Sequence, residues 1–499
     1  MSDKRHMFHD AADEQHRRDT EHLAKFGYDQ ELKRSLGFFS NFAVAFSFIS
    51  ATTGIFGLFY FGLDTGGPAF IWSWPLVFAG QLLVALTFAE VSSHYPLAGG
   101  IYQWCKQLLG PTYAWFAAWF YLIALLVTIA AVDFGVAPVV TSLLRIEGTR
   151  WTLSIIAIVF VVAQSVLNLF GVKIMAFVNN IGTVTEIVGM LGVGVLLFGA
   201  VLLGDGEHQG LSVLFDRGGT DSAGYLGVFL AAALSSAWVL YGFDSAGAVA
   251  EETVNPTREV PRAILTALVA TFLVGGFFML AALIAIPDVG ETMAAGADAL
   301  PFIMNAHLPS WMTDVLLLVV VIAMFVCGLA IQATTARLLF SYGRDGQIPA
   351  SNFFKQISKR YQTPMRAIVF TAAFTALLLI FQSQLARIVA WAVVGIYIPY
   401  QMVVIASIGG RLRGWPREKA AFNLGAWGWP INIVALAYGV FMIINLAWPR
   451  TPEAAWYDNY LVPLSVVAAL VLGLVFFVSH KRRGLSMEIK DVVETPDSV

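Results

Sequence analysis

The sequence predicts an all-α polytopic membrane protein of about twelve spans, and three observations predict it. The 499 residues are 58% hydrophobic and only 13% charged, with a mean hydropathy of +0.72, whereas a soluble chain of this length needs far more charge to cover its surface. The charged residues gather at the ends of long apolar runs instead of being interspersed. The runs themselves recur at lengths near the roughly 20 residues that cross a bilayer as a helix.

In chain order the first six runs lie near 38–62, 70–93, 113–143, 151–170, 174–203 and 225–250. Six more follow near 262–286, 312–342, 365–381, 385–408, 427–448 and 460–480, the ninth of them short. Lysine and arginine orient the set, because they concentrate in cytoplasmic loops. With the N-terminus inside, 25 of the 30 fall on the cytoplasmic side, leaving Arg145, Arg150, Arg217, Arg387 and Arg450 outside. The opposite orientation reverses that ratio, so both termini are expected in the cytoplasm. The first 34 residues are polar and mixed in charge, and no cleavable signal is expected ahead of the first span.

Composition also excludes function classes. The formal net charge is −3, and no basic patch with interleaved aromatics suggests a nucleic-acid partner. Two cysteines, Cys105 and Cys327, stand far apart beside or within apolar runs and support neither a disulfide framework nor a thiolate site. Half of the histidines lie in the N-terminal tail and the others elsewhere without metal-ligand spacing, and no cofactor is expected. No HExxH or G-x-S-x-G pattern occurs, so an intramembrane enzyme is not expected. A channel would supply a charged or carbonyl-ringed pore, usually with oligomeric symmetry.

Two spans carry features that a lipid-facing helix avoids. Ser50-Ala51-Thr52-Thr53-Gly54-Ile55-Phe56-Gly57 puts hydroxyls and glycines at mid-depth in the first. Tyr241-Gly242-Phe243-Asp244-Ser245-Ala246-Gly247 does the same in the sixth and adds a carboxylate. Free backbone is tolerated at that depth only where it lines a cavity or packs on protein. The two segments hold first place in two consecutive sets of five spans. Inverted-repeat transporters have that arrangement, with discontinuous helices meeting at a midplane site. Packing faces of small residues are the bland alternative; the matched pair, one carrying an acid, favours a site. A pathway inside one monomer follows from two repeats in one chain.

At these residues the chain resembles the amino acid–polyamine–organocation (APC) superfamily. Thr52-Thr53-Gly54-Ile55-Phe56 is similar to its first-helix Gly-Ser-Gly-Ile-Phe element. Glu90 followed by Pro96-Leu97-Ala98-Gly99-Gly100-Ile101-Tyr102-Gln103-Trp104 resembles its acid and P-x-A-G-G-x-Y-x-W stretch after the second span. Glu251-Glu252-Thr253-Val254-Asn255-Pro256-Thr257-Arg258 and Arg344-Asp345-Gly346-Gln347-Ile348-Pro349 resemble the motifs after the sixth and eighth. Gly27-Tyr28-Asp29-Gln30-Glu31-Leu32-Lys33-Arg34, the Gly66-Gly67-Pro68 loop and Asp458-Asn459-Tyr460 look like the amino acid/choline transporter family within it. The resemblance implies a LeuT-type fold of two inverted five-helix repeats plus two further helices. Its segments would be a tail over 1–35, repeats over 36–203 and 204–410, two helices over 411–480, and a tail over 481–499. It also implies a permease for γ-aminobutyrate, choline, polyamines or amino acids, working as a monomer in the cell membrane.

The resemblance implies site residues too. Thr53 and Gly54 match positions that bind a substrate carboxylate through hydroxyl and backbone N–H in similar antiporters, at the N-terminus of a half-helix. Ser50, just before the break, is expected to offer a carbonyl to the substrate amine. So are Trp238 and Tyr241, the Trp238 ring also covering the amine by cation–π contact. Asp244 either pairs with that amine, gates by changing protonation, or is a structural acid bonded within the broken segment. Glu186 stands where many relatives carry lysine. A carboxyl in that place either binds and releases the coupling proton or packs as a hydrogen-bonded neutral group. Asp133 either lines the outer vestibule and attracts cations or sits solvated near the interface. Were Asp133 and Asp244 both to face the cavity, cationic amines would gain over zwitterions. Glu90, Arg337 and the Glu251–Arg262 stretch are expected to cap helices and to close an inner gate by charge pairing.

Overall fold

The computed structural model describes residues 14–203, 207–219, 224–381, 385–450 and 453–482. Residues 1–13 of the expected N-terminal tail and 483–499 of the C-terminal one lie outside the described residues. Every regular element among the described residues is helical, apart from an isolated bridge between Leu36 and Thr253.

Among the described residues ten helices are long and apolar enough to cross a membrane, and two shorter apolar helices lie where the sixth and ninth spans are expected. Ordinals below follow that expected order. The third span runs Pro111–Leu144, the fourth Arg150–Leu169, the fifth Val172–Leu203, the eighth Ser310–Arg344 and the tenth Leu385–Leu412.

The fifth span shows which solvent the chain is built for. Phe177, Ile181, Val184, Val188, Leu191 and Val195 recur at helical spacing and are all exposed. Asn179, Thr183 and Glu186 on its other side are buried. A helix in water reverses this pattern. Apolar out and polar in is the arrangement of a helix whose outer face meets lipid. The first span is the most enclosed, 89% of its central window being buried, against 11% for the last span.

Ser50, at φ 37° and ψ 92°, separates Phe38–Ile49 from Ala51–Gly66. The first break is therefore one residue wide, narrower than the expected Ser50–Gly57 segment, and Thr52 to Gly57 are helical. In the sixth span Tyr225–Val239 ends, residues 240–244 run without helix, and the short helix Ser245–Ala248 follows. Gly242 turns that segment at φ +104°, a left-handed value that side chains disfavour. The two breaks cross in contact. A Cβ on Gly54 would run into Val239, and one on Gly242 into Phe48.

Loops add helices that the apolar runs do not announce. Gly99 and Gly100, both at positive φ, end the Pro96–Gly100 turn and release Ile101–Leu109. Val289–Ala294, Ala299–His307 and Ser351–Phe354 fill two further connections.

Candidate functional site

The first break is closed over by a carboxylate. Glu186 Oε1 accepts from the Thr52 amide at 3.0 Å and from the Ser50 hydroxyl at 2.9 Å. Ser50 Oγ in turn accepts from the Thr53 amide at 3.2 Å and lies 2.7 Å from Thr53 Oγ1. A hydroxyl has one proton to give, and Ser50 gives it to Glu186, so the Thr53 hydroxyl donates to Ser50. Glu186 Oε2 is buried without a hydrogen-bond partner. The Gly54 amide bonds the Ser50 carbonyl at 3.1 Å. The amides and the carbonyl expected to receive substrate are thus engaged within the chain. What sits at this half-helix N-terminus, where an anion is favoured, is Glu186.

The sixth break is built around Asp244, which is 1% exposed. Tyr121 of the third span donates to its Oδ2, and Tyr400 of the tenth to its Oδ1. Tyr400 also accepts from the Gly242 amide at 2.8 Å, so one phenol ties the carboxylate to the turn that displays it. Both oxygens are satisfied by charge-assisted bonds. Neither phenol stands in a motif; the signal that points to them is physical, since a carboxylate buried in a span needs donors from its neighbours. Trp238 and Tyr241 flank this break with ring centroids 5.8 Å apart, and Tyr241 packs edge-on to Phe48 at 6.4 Å.

The solvated alternative for Asp133 is corrected by its burial. Asp133 is fully buried, and its Oδ1 accepts from Gln164 of the fourth span at 2.7 Å. Gln332 of the eighth span donates to Gln164 at 2.8 Å. The carboxylate belongs to an amide network joining three spans. Its Oδ2 has no partner.

Beside Thr53 and Trp238 lies a small cavity of about 10 Å³, room for about one water. The second half of the first span contributes Thr53, Gly57 and Leu58, and the third span contributes Ala131, Val132 and Gly135. Trp238, Met324 and Val389 close it. Of the expected site residues, Thr53 and Trp238 line this space; Asp133, Glu186 and Asp244 do not.

The end of the bundle nearest the N-terminal tail is sealed by paired charges. Arg337 makes a two-bond pair with Glu252 at 2.7 and 2.9 Å, and Arg344 with Glu251 at 2.9 and 3.0 Å. Glu90 pairs with Arg411 and accepts from the Leu424 amide at 2.9 Å. Lys106 meets Asp345 at 2.6 Å, while Tyr28 and Tyr102 donate to the same carboxylate at 2.9 and 2.8 Å. The Tyr28 ring lies 4.0 Å under the Arg344 guanidinium. The Ser35 and Leu36 amides both bond the Glu252 carbonyl at 2.8 Å, so the segment leading into the first span is part of the seal. The charge pairing expected of Glu90, Arg337 and the Glu251–Arg262 stretch is present. Lys106 and the tail's Tyr28 are additions to it.

A family model described as amino acid permease matches residues 36–474. The amino-acid permease BAT1 of Arabidopsis thaliana is 26% identical, covering 94% of this chain and 96% of its own. Its homolog in Oryza sativa subsp. japonica is 27% identical over 88% of this chain and 90% of its own. The branched-chain amino acid permease BcaP of Bacillus subtilis is 26% identical over 92% and 96%.

Proposed function

The chain belongs to the amino acid permease family, and from that premise we propose that it carries amino acids or related small amines by alternating access, with a proton as the coupling ion. It is a multi-pass membrane transporter and not an enzyme. In this reading the repeats over 36–203 and 204–410 rock around the two breaks, and twelve crossings leave both termini cytoplasmic. The sealed end described above is then the inner gate.

The observation that carries the coupling is the position of the Glu186 carboxylate on the Thr52 amide and the Ser50 hydroxyl. Those groups begin the half-helix that takes the substrate carboxylate in similar carriers. Two anions on one helix terminus repel, and each weakens the other's binding. Protonating Glu186 removes one of the charges. A proton and a substrate carboxylate therefore favour each other at this place, and linkage makes the effect mutual. Substrate without its proton meets a filled site; with it, the Ser50 and Thr53 groups become available. Differential binding of the pair to the inward- and outward-facing states would drive the cycle.

The test is uptake of a labelled amino acid panel, with γ-aminobutyrate and choline included, into proteoliposomes under an imposed inward proton gradient. Saturable accumulation that collapses with the gradient is expected. Accumulation that ignores the gradient but requires substrate on the far side would replace coupling with exchange.

A further inference from the structure

We propose that the cleft between the first half of the sixth span and the eleventh span binds a phospholipid with an anionic headgroup, anchored on Arg450. The cleft encloses about 620 Å³, within the range of about 300–1,000 Å³ that ligand sites occupy. Val228, Leu230 and Ala231 of Tyr225–Val239 form one wall, and Phe441 and Ile444 of Gly428–Ala447 form the other. It opens onto lipid-facing surface. Phe441 and Ile444 are 50% and 54% exposed, and Ile433, Val434 and Val440 continue the same apolar face. No residue of either break lines the cleft, so the site stands apart from the substrate and coupling residues proposed above.

Charge stands at one end of the cleft. Gly428, where the eleventh span begins, lies against Arg411 of the paired-charge seal, so Arg450 follows the opposite end of that helix. Trp448 just before it, and Trp456, Tyr457 and Tyr460 shortly after, are exposed aromatic residues of the kind that gather at headgroup depth. Arg450 Nη1 donates to the Asn445 carbonyl at 2.6 Å and the Trp448 carbonyl at 3.4 Å, and its Nη2 to Asn445 Oδ1 at 2.6 Å. These bonds cap the helix end and use three of the five N–H groups of a guanidinium. The acceptors are neutral, and no carboxylate among the described residues acts on the charge. An unneutralised cation at the head of an apolar cleft matches a phosphate above an acyl chain. The phosphate takes the remaining N–H groups in charge-assisted bonds. The chain gains by packing against the walls, the term left when solvent and wall are both hydrocarbon. A zwitterionic lipid brings its own ammonium beside the guanidinium and gains less. The anchor also reaches the broken span. Asn445 Nδ2 donates to the Leu230 carbonyl at 2.9 Å, so a lipid held on Arg450 fixes Asn445 and, through it, the half-helix that leads to the Asp244 break.

The experiment titrates the delipidated full chain, in an uncharged detergent, with phosphatidylglycerol, phosphatidylcholine of the same acyl chains, and inorganic phosphate. Binding is read by native mass spectrometry and by thermal unfolding. Phosphatidylglycerol is expected to bind at least about tenfold tighter than phosphatidylcholine, roughly the worth of one charged hydrogen bond. Arg450→Gln should abolish that preference, and Arg450→Lys should keep most of it. Gly227 lines the cleft, and a side chain there starts in open space. Gly227→Phe should therefore fill the cleft and weaken both lipids with Arg450 intact. Equal binding of the two lipids, or a preference that survives Arg450→Gln, would overturn the proposal and leave only the general affinity of a membrane surface. Inorganic phosphate that stabilises the chain as much as phosphatidylglycerol would overturn it in favour of a free-anion site. Dimers that Gly227→Phe dissolves while lipid binding stays unchanged would assign the cleft to a second copy instead. Unfolding of the lipid-free variants separates lost binding from failure to fold, and if Arg450→Gln does not fold, the lipid ranking and Gly227→Phe decide.

Discussion

Glu186 of the fifth span and Thr52 of the first meet through a 3.0 Å hydrogen bond, carboxylate to amide, at the residue where the first span is interrupted. The bond joins a side chain to the start of a half-helix, and its strength depends on charge. Replacing Glu186 by glutamine keeps an oxygen acceptor and removes the proton-dependent charge. Glu186→Gln is expected to make uptake independent of the imposed pH gradient while exchange of internal for external substrate persists. Gradient-driven accumulation at the wild-type level in this variant would remove Glu186 from coupling.

Asp244, clamped by two phenols, is expected to set rate more than affinity. Tyr121→Phe leaves one carboxylate oxygen without its donor, at a cost of about 1–3 kcal/mol for a buried group. Tyr121→Phe and Asp244→Asn should each slow transport at least about tenfold, the factor that 1.4 kcal/mol represents, with substrate affinity within about threefold of wild type. Combining them should cost less than the sum of the two, as contacting pairs do. A large loss of affinity with an intact rate would return Asp244 to the substrate.

The Arg337–Glu252 pair, 2% and 0% exposed, is expected to behave as buried ion pairs do. Removing one partner leaves the other charge uncompensated and costs about 3–5 kcal/mol. Arg337→Met should therefore lower the unfolding temperature in detergent sharply, and Arg337→Met with Glu252→Leu should recover much of the loss. Equal destabilisation in single and double variants would show that the pair is not the source.

Docking of the tail should respond to pH through His22. Burial holds its imidazole below the ordinary 6.5, Lys25 and Arg34 adding to the shift while Asp19 opposes it. Its Nε2 is buried without a partner, in a small cavity it shares with Asp19, Arg34, Pro96 and Thr257. A lowered value means that the folded chain prefers the neutral ring. The docking contribution is complete above about pH 6.5 and is lost as pH falls through the lower folded value. Hydrogen exchange over residues 14–36 should quicken across that acidic window, and His22→Gln should flatten the response. Exchange rates with no pH step beyond the chemical one would exclude His22 as the sensor.

Much of the fold was legible because lipid imposes a simple rule: apolar residues for about one bilayer thickness, then charge. The third, ninth and eleventh runs, near 113–143, 365–381 and 427–448, reappear as Pro111–Leu144, Met365–Phe381 and Gly428–Ala447. Helices such as Ile101–Leu109 were not legible, since nine half-polar residues look the same in a loop as in a helix until they dock. Glycine and hydroxyl content located both breaks. It overstated the first, because Ser50 alone leaves the helical region and its own hydroxyl, accepting from the Thr53 amide, caps the new helix.

The sequence by itself determined the helical membrane class, the places where two spans break and the acids that lie within the spans. These are properties of composition and local backbone preference, which one strand of chain carries alone. Only the tertiary structure decided what the acids face. Asp133 turned to Gln164, Asp244 to Tyr121 and Tyr400, and Glu186 to Thr52, in each case toward residues on other spans, at least 31 positions away in the chain. The rotation of a helix about its own axis is set by what packs against it, and that rotation decided which partner each acid met.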